Sequence, residues 1–254
     1  MWPYPKIIAH RGGGKLAPEN TLAAMRCGLA HGFRAVEFDV MLARDGVPVV
    51  MHDPQLGRTV KGSGNVFEFD AAQLAAMDAG NWFSPAFAGE PVPRYEQVLQ
   101  FCLQHDIWMN VEIKPAPGFE EQTGRVVGEL TRKLLAARIA AHVPGRNDAT
   151  LPLFSSFSFE AMLAAKSAAP EIPRGWLASA IPADWRERLA QLGAIALHTN
   201  HAKLSAPQTH AVKQAGYGLM CYTVNDVDRA RDILAWGVDA FCTDRIDLIG
   251  PEFA

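Results

Sequence analysis

Glu37 and Asp39 stand two positions apart in Ala35-Val36-Glu37-Phe38-Asp39-Val40, where apolar and acidic residues alternate. Successive side chains of a strand point to opposite faces, so Val36, Phe38 and Val40 share one face and the two carboxylates the other. Neighbouring carboxylates repel unless a cation lies between them, and hard divalent cations prefer oxygen ligands. The competing reading is a half-buried edge strand with a solvated acidic face. Trp108-Met109-Asn110-Val111-Glu112-Ile113-Lys114 repeats the design, with Asn110, Glu112 and Lys114 opposite Val111 and Ile113. If both strands belong to one parallel α/β barrel, three carboxylates and an ammonium meet at its mouth, the end that carries the active site in such barrels.

Two histidines join this set. His10-Arg11 follows the apolar run Lys6-Ile7-Ile8-Ala9, and His52-Asp53 follows the extended run Val47-Pro48-Val49-Val50-Met51. Imidazole titrates near neutral pH, so His10 and His52 suit general acid/base work. Arg11, as a planar fork, and Lys114, as a point charge, can neutralise an anionic substrate. Glu37, Asp39 and Glu112 suit Mg²⁺ or Ca²⁺, with water and substrate oxygens completing the shell. Metal, cations and two imidazoles together point to phosphoryl transfer or phosphodiester cleavage. Zinc hydrolysis is the competitor, but the chain has neither HxH nor HExxH. Gly12-Gly13-Gly14 permits a sharp turn or a close backbone approach to a ligand, without the spacing of a P-loop. Asn200 and Asn225, both at strand ends, are candidate substrate contacts, and His198 shares the first of those ends. His31, His105 and His142 fall near helix ends or in polar loops and read as structural.

The elements that must position these groups follow from periodicity. Pro18-Glu19-Asn20-Thr21 opens a helix that Asn20 or Thr21 can cap; Leu22, Met25 and Leu29 form its apolar stripe and Gly32 ends it. The strand of Glu37 and Asp39 comes next, giving a βαβ unit. Asp45-Gly46 reads as a turn. From Asp53 to Pro93 the rhythm breaks into a Gly-, Pro- and polar-rich stretch, with one helical pattern near Ala71–Met77, as expected of a lid or inserted subdomain. Asn81-Trp82-Phe83 and Phe87 have two readings: they supply its apolar contacts, or they only pack the insertion onto the barrel. Helix patterns then cover Tyr95–His105, Glu120–Ala137, Phe159–Ala169, Trp185–Leu192, Pro207–Ala215 and Val227–Trp236. Strands at 108–114, 152–157, 174–177, 194–197, 217–222 and 238–242 alternate with them. Eight strand–helix units predict a (β/α)8 TIM barrel with a small insertion after the second strand, over a single 1–254 domain with 53–93 inserted. A doubly wound open sheet is the alternative, disfavoured by the unbroken alternation.

The composition fits that reading. Of 254 residues, 49% are apolar, enough for a sizeable core, and the net charge of −3 gives no reason to expect nucleic acid or an anionic membrane surface as partner. The four cysteines form no CxxC pair and are expected to be buried thiols. No apolar run is long enough to span a membrane and the N-terminal residues lack an apolar leader, so a cytoplasmic location is expected.

Taken together, His10-Arg11-Gly12, Pro18-Glu19-Asn20-Thr21, Glu37-Phe38-Asp39, Val50-Met51-His52-Asp53 and Glu112-Ile113-Lys114 resemble the glycerophosphodiester phosphodiesterases. The likeness runs on through Leu56-Gly57-Arg58-Thr59, Asp78-Ala79-Gly80-Asn81-Trp82-Phe83, Tyr222-Thr223-Val224-Asn225 and Cys242-Thr243-Asp244. The opening Trp2-Pro3-Tyr4-Pro5 and the closing Ile246-Asp247-Leu248-Ile249-Gly250-Pro251 resemble its cytosolic bacterial members. The resemblance implies a TIM barrel with an insertion after the second strand and a divalent metal on Glu37, Asp39 and Glu112. It implies acid/base roles for His10 and His52, with Arg11 and Lys114 near the phosphate. It implies hydrolysis of glycerophosphocholine, glycerophosphoethanolamine and similar diesters to glycerol 3-phosphate and an alcohol. It implies that the glycerol hydroxyl attacks phosphorus and that water opens the resulting cyclic phosphate. One departure is visible: Arg94-Tyr95 stands where the family usually has Thr-Leu at the start of a helix.

Two rival functions have distinct signatures. A phospholipase-like relative acting on lipids would need an exposed apolar or basic surface, which the sequence does not display. A barrel that only binds glycerophosphodiesters would lack an acid, a base or a metal ligand, and the proposed set is complete.

Overall fold

The computed structural model describes residues 2–142 and 149–253. Its strands are β1 (Ile7–Ala9), β2 (Ala35–Leu42), β3 (Pro48–Val50), β4 (Trp108–Ile113), β5 (Leu153–Ser156), β6 (Arg174–Ala178), β7 (Ala196–Asn200), β8 (Gly218–Tyr222) and β9 (Ala240–Thr243). Among the described residues, eight of them are parallel and run in ring order β1-β2-β4-β5-β6-β7-β8-β9. The ring closes where β1 pairs with β9 (Ile8 beside Cys242) and with β2 (Ala9 beside Val36). This is the TIM barrel that the alternation predicts. β3 is the extra strand, folded back antiparallel on β2 with Val40 beside Val50, through the turn at Asp45-Gly46.

The helices are α1 (Leu22–Ala30), α2 (Ala71–Ala75), α3 (Tyr95–Gln104), α4 (Glu120–Leu134), α5 (Ala136–Ala141), α6 (Phe159–Ala168), α7 (Trp185–Leu192), α8 (Ala206–Gln214) and α9 (Val227–Ala235). Thr21, not Asn20, caps α1: its Oγ1 accepts from the Ala24 N–H at 3.1 Å. The Arg94-Tyr95 departure leaves α3 starting at Tyr95, where the Arg94 N–H reaches Gln97 Oε1 at 2.9 Å. The Tyr95 ring is wholly buried and its hydroxyl meets Thr131 Oγ1 at 2.7 Å. The single helix expected over Glu120–Ala137 is divided. Leu135 leaves helical geometry (φ −102°, ψ 12°) with its side chain buried in the core, and α5 restarts after it.

Alternation along the strands sorts the chain into layers. Val36, Phe38, Val40, Val111 and Ile113 are fully buried between barrel and helices. Each such side chain contributes about 1.5–3 kcal/mol by leaving water. Inside the barrel, Tyr4, Ile8, Ala35, Trp108, Leu153 and Met220 form an apolar floor, with the Tyr4 and Trp108 rings stacked at 4.3 Å. The polar inward residues are therefore displaced toward the open, C-terminal end. The long connection before α3 has a small core of its own, in which Val60, Val66, Leu74 and Val92 pack on Met41, Val49 and Met51. Its two ends meet where the Val50 N–H bonds the Pro93 carbonyl at 2.9 Å. All four cysteines are free, three of them buried, while Cys27 is half-buried.

Candidate active site

β2 and β4 lie side by side in a register that sets Asp39 directly against Glu112 and Glu37 against Asn110. Barrel closure turns that face inward, so Glu37 is only 4% exposed and Asp39 1%. The solvated acidic edge is thereby excluded. One oxygen from each of Glu37, Asp39 and Glu112 lies within 4.8 Å of the other two. Burial first, then Asp39 and Glu112, pushes the Glu37 carboxyl well above its ordinary value. Burial, followed by Asp39, pushes Glu112 up to about 8. Burial also works against Asp39, but Lys114, then Arg11, hold it below its ordinary value. A carboxylate set this short of positive charge fits a divalent cation, and its all-oxygen donors suit a hard one.

The cationic groups surround this cluster. Lys114 Nζ is 3.4 Å from Asp39 Oδ1. Arg11 Nε is 3.6 Å from Asp39 Oδ2, and Arg11 Nη1 is 2.6 Å from Glu19 Oε1. The Arg11 backbone is left-handed (φ 52°), an uncommon state for a residue with a Cβ. It turns the Arg11 N–H toward Glu37 Oε2 at 3.2 Å. Asn20, left free by the Thr21 cap, holds Asp39 from two directions. Its Nδ2 donates to Asp39 Oδ2 at 2.8 Å and its Oδ1 accepts from the Asp39 N–H at 3.2 Å.

Each histidine of the pair has a carboxylate behind it. His10 Nδ1 lies 2.6 Å from Asp244 Oδ1, and His52 Nδ1 lies 2.6 Å from Asp53 Oδ1. An ionised carboxylate only accepts, so Nδ1 carries the proton and Nε2 is the basic nitrogen of each neutral ring. His10 Nε2 is 3.7 Å from Glu37 Oε2. Asp244 is held in turn by Asn225, whose Nδ2 donates to Oδ2 at 2.8 Å and whose Oδ1 accepts from the Asp244 N–H at 2.7 Å. Burial raises the Asp244 carboxyl, but the His10 and Asn225 hydrogen bonds outweigh it and bring the group down to about 2. Asp53, likewise opposed by burial, is brought down to about 2 by hydrogen bonds from Arg58 and His52. Burial, followed by the Arg11 and Lys114 charges, lowers His52 against the pull of Asp39.

The glycine run packs closely against the chain itself, Gly12 against Met25, Gly13 against Ala17 and Gly14 against Asp244. Gly14 is left-handed (φ 53°), and a Cβ there would overlap the Asp244 main chain. The Lys15 N–H bonds the Asp244 carbonyl at 2.8 Å, tying this loop to the residue behind His10.

His10, Arg11, Glu37, Asp39, His52, Glu112 and Lys114 all line one cavity of about 230 Å³ at the barrel mouth. Its other wall is apolar, made by Phe157, Leu177, Met220 and Tyr222. Phe157 and Tyr222 meet edge to face at 5.7 Å. The remaining candidates lie elsewhere. Asn200 spends its Oδ1 on the Ala202 N–H at 2.9 Å, capping the turn after β7. Asn225 faces Asp244 and supports His10 from behind. His198 is wholly buried within the barrel against Gly175, and burial pushes it down to about 3. Sequence reasoning assigned no site role to the supporting residues Asp53, Asp244, Glu19 and Asn20; the adjacency of His52 and Asp53, and the presence of all four in the segments that carry the resemblance, were the available signals.

The model of the glycerophosphoryl diester phosphodiesterase family matches residues 10–248. A glycerophosphodiester phosphodiesterase of Caldanaerobacter subterraneus subsp. tengcongensis is 30% identical over 243 residues, covering 94% of this chain and 93% of the relative. The Bacillus subtilis protein YhdW is 31% identical over 256 residues, covering 96% of each. Among solved structures, a phosphodiesterase of Oleispira antarctica in complex with the product sn-glycerol-3-phosphate superposes with a TM-score of 0.84 at 37% identity, covering 94% of this chain and 93% of that one. Among the described residues no helix is long and apolar enough to cross a membrane.

Proposed function

The chain belongs to the glycerophosphoryl diester phosphodiesterase family and is a glycerophosphodiester phosphodiesterase, and on that premise we propose that it is metal-dependent and releases sn-glycerol 3-phosphate and an alcohol by histidine acid/base catalysis. The observation that carries this reading is the buried triad Glu37, Asp39 and Glu112, with oxygens within 4.8 Å of one another, in one cavity with His10, His52, Arg11 and Lys114.

In this reading Glu37, Asp39 and Glu112 hold Mg²⁺ or Ca²⁺. An ion held there would supply charge stabilisation to the phosphoryl group. Arg11 and Lys114 bind the phosphate and oppose its negative charge. One histidine takes the proton of the glycerol hydroxyl as that oxygen bonds to phosphorus. The other gives its proton to the alcohol oxygen as the second P–O bond breaks. Water then opens the cyclic phosphate with the two roles reversed. The carboxylates behind Nδ1 keep each Nε2 available for these transfers. The apolar wall of Phe157, Leu177, Met220 and Tyr222 packs against the glycerol carbons. Recognition of the glycerol phosphate half lets the alcohol vary, so glycerophosphocholine and glycerophosphoethanolamine are both substrates. Residues 53–93 act as an inserted subdomain at the mouth, and the enzyme works in the cytoplasm.

The test is release of glycerol 3-phosphate from both diesters, with metal stripped and then restored, beside His10→Ala, His52→Ala and Glu37→Ala. Turnover that requires the metal and all three side chains is expected. Undiminished turnover in Glu37→Ala would overturn the metal assignment.

A further inference from the structure

Arg58 comes from the long connection before α3 and is neither a carboxylate of the triad nor one of the two histidines. Its Nε lies 2.5 Å from Asp53 Oδ2, while its Nη1 and Nη2 each lie 2.7 Å from an oxygen of Glu19. Both partners are already committed toward the cavity. Asp53 holds His52 Nδ1 with its other oxygen, and Glu19 Oε1 also accepts from Arg11 Nη1. One guanidinium thus bridges the two carboxylates that orient His52 and Arg11, which arrive from different parts of the chain.

We infer that Arg58 is a positioning residue for the reaction, locking His52 and Arg11 into one unit through Asp53 and Glu19. The inference rests on the roles proposed above for those two side chains. An exposed ion pair by itself contributes little. Here, however, the Glu19 and Asp53 side chains are only 13% and 25% exposed, and each has a second fixed partner. The pairing with Glu19 is two-pronged, which fixes a plane as well as a distance. Asp53 gains a stop against rotation, and so does the His52 ring behind it. Lysine has one ammonium and no fork, so it cannot span three oxygens of two carboxylates. The Arg58 side chain is itself 45% exposed, so its removal is expected to leave the core intact.

The experiment measures kcat and KM on glycerophosphocholine for wild type, Arg58→Ala, Arg58→Lys, Asp53→Asn, Glu19→Gln and the double variants, with thermal melts of each. Loss of orientation at a catalytic group costs up to about 100-fold, so Arg58→Ala is expected to lower kcat about 10- to 100-fold and to raise KM. Asp53→Asn should carry mainly the kcat part and Glu19→Gln mainly the KM part. Arg58→Ala should then cost far less in kcat when Asp53 is already Asn. Arg58→Lys should stay near the alanine variant, and added guanidinium ion should restore part of the Arg58→Ala kcat while not raising that of wild type. Unchanged kcat and KM in Arg58→Ala, or a loss fully additive with those of Asp53→Asn and Glu19→Gln, would overturn the inference. If Arg58→Ala fails to fold, Arg58→Lys is judged by the same criteria. His52→Ala and Arg11→Ala separate the levels. If they turn over normally, the site reading fails; if they are impaired while Arg58→Ala is normal, only this inference fails.

Discussion

His10 and Asp244, 234 positions apart, share a hydrogen bond of 2.6 Å from Nδ1 to Oδ1. It spans the seam where β1 and β9 pair, so the closed barrel places the carboxylate behind the histidine. Asn225, three residues past β8, holds Asp244 in turn through its Nδ2 and Oδ1. Asp244→Asn is therefore expected to lower kcat by about 10²-fold or more, the usual worth of a correctly held acid or base, with little change in KM. Asn225→Ala should move kcat in the same direction by less. Steady-state kinetics on glycerophosphocholine decide it, and wild-type kcat in Asp244→Asn would remove the dyad from the mechanism.

In the proposed mechanism the two histidines divide the proton work, so a leaving group that needs no proton should tell them apart. From a glycerophosphodiester of 4-nitrophenol the phenolate departs without a proton. Whichever of His10→Ala and His52→Ala has lost the acid of the first step should recover rate on this substrate, while the variant lacking the base should not. Equal loss in both variants on both substrates would dismiss the division of roles.

The proposed metal binding has a readout besides turnover. The buried Glu37 and Glu112 carboxyls are pushed up, first by burial and then by neighbouring carboxylates. Glu112→Gln should thus raise the melting temperature of the metal-stripped protein and reduce the further rise that Mg²⁺ or Ca²⁺ produces in wild type. A stripped variant that melts below stripped wild type, with the metal response intact, would contradict the ligand assignment.

Tyr95 lies outside the cavity, so its hydrogen bond to Thr131 at 2.7 Å should matter to stability alone. Thr131 also donates to the Val127 carbonyl at 2.7 Å, so it stays partnered when the phenol is removed. Tyr95→Phe should cost about 1 kcal/mol in urea unfolding and leave kcat unchanged.

His198 predicts a slope of stability with pH. Burial pushes its folded value down to about 3, against 6.5 as its ordinary value. The folded ring stays neutral where the unfolded ring takes a proton, so the unfolded chain binds more protons below pH 6.5. Stability is complete above that pH, falls as the pH drops through it, and levels off near 3. By pH 5 the loss from this group is about 2 kcal/mol. Urea midpoints at pH 7.5 and 5 should differ less in His198→Leu than in wild type; an equal difference would reject the assignment.

Much of this site is legible in the chain because it depends on local rules. Period-two alternation puts Glu37 with Asp39, and Glu112 with Lys114, on one face of their strands whatever the surroundings. Strand–helix rhythm predicts a barrel, and barrels place strand C-termini at one mouth. The triad, His10, His52, Arg11 and Lys114 are found on those grounds. Only the tertiary structure decides what lies behind them. Closure of the ring turns an acidic face inward that could equally have met water. The pairing of His10 with Asp244, and of Arg58 with both Glu19 and Asp53, joins residues that no local period relates. Asn200 and His198 have the same strand-end signature as the true lining residues. Yet one caps a turn and the other lies buried against Gly175, because depth within a barrel depends on stagger between strands that are distant in sequence.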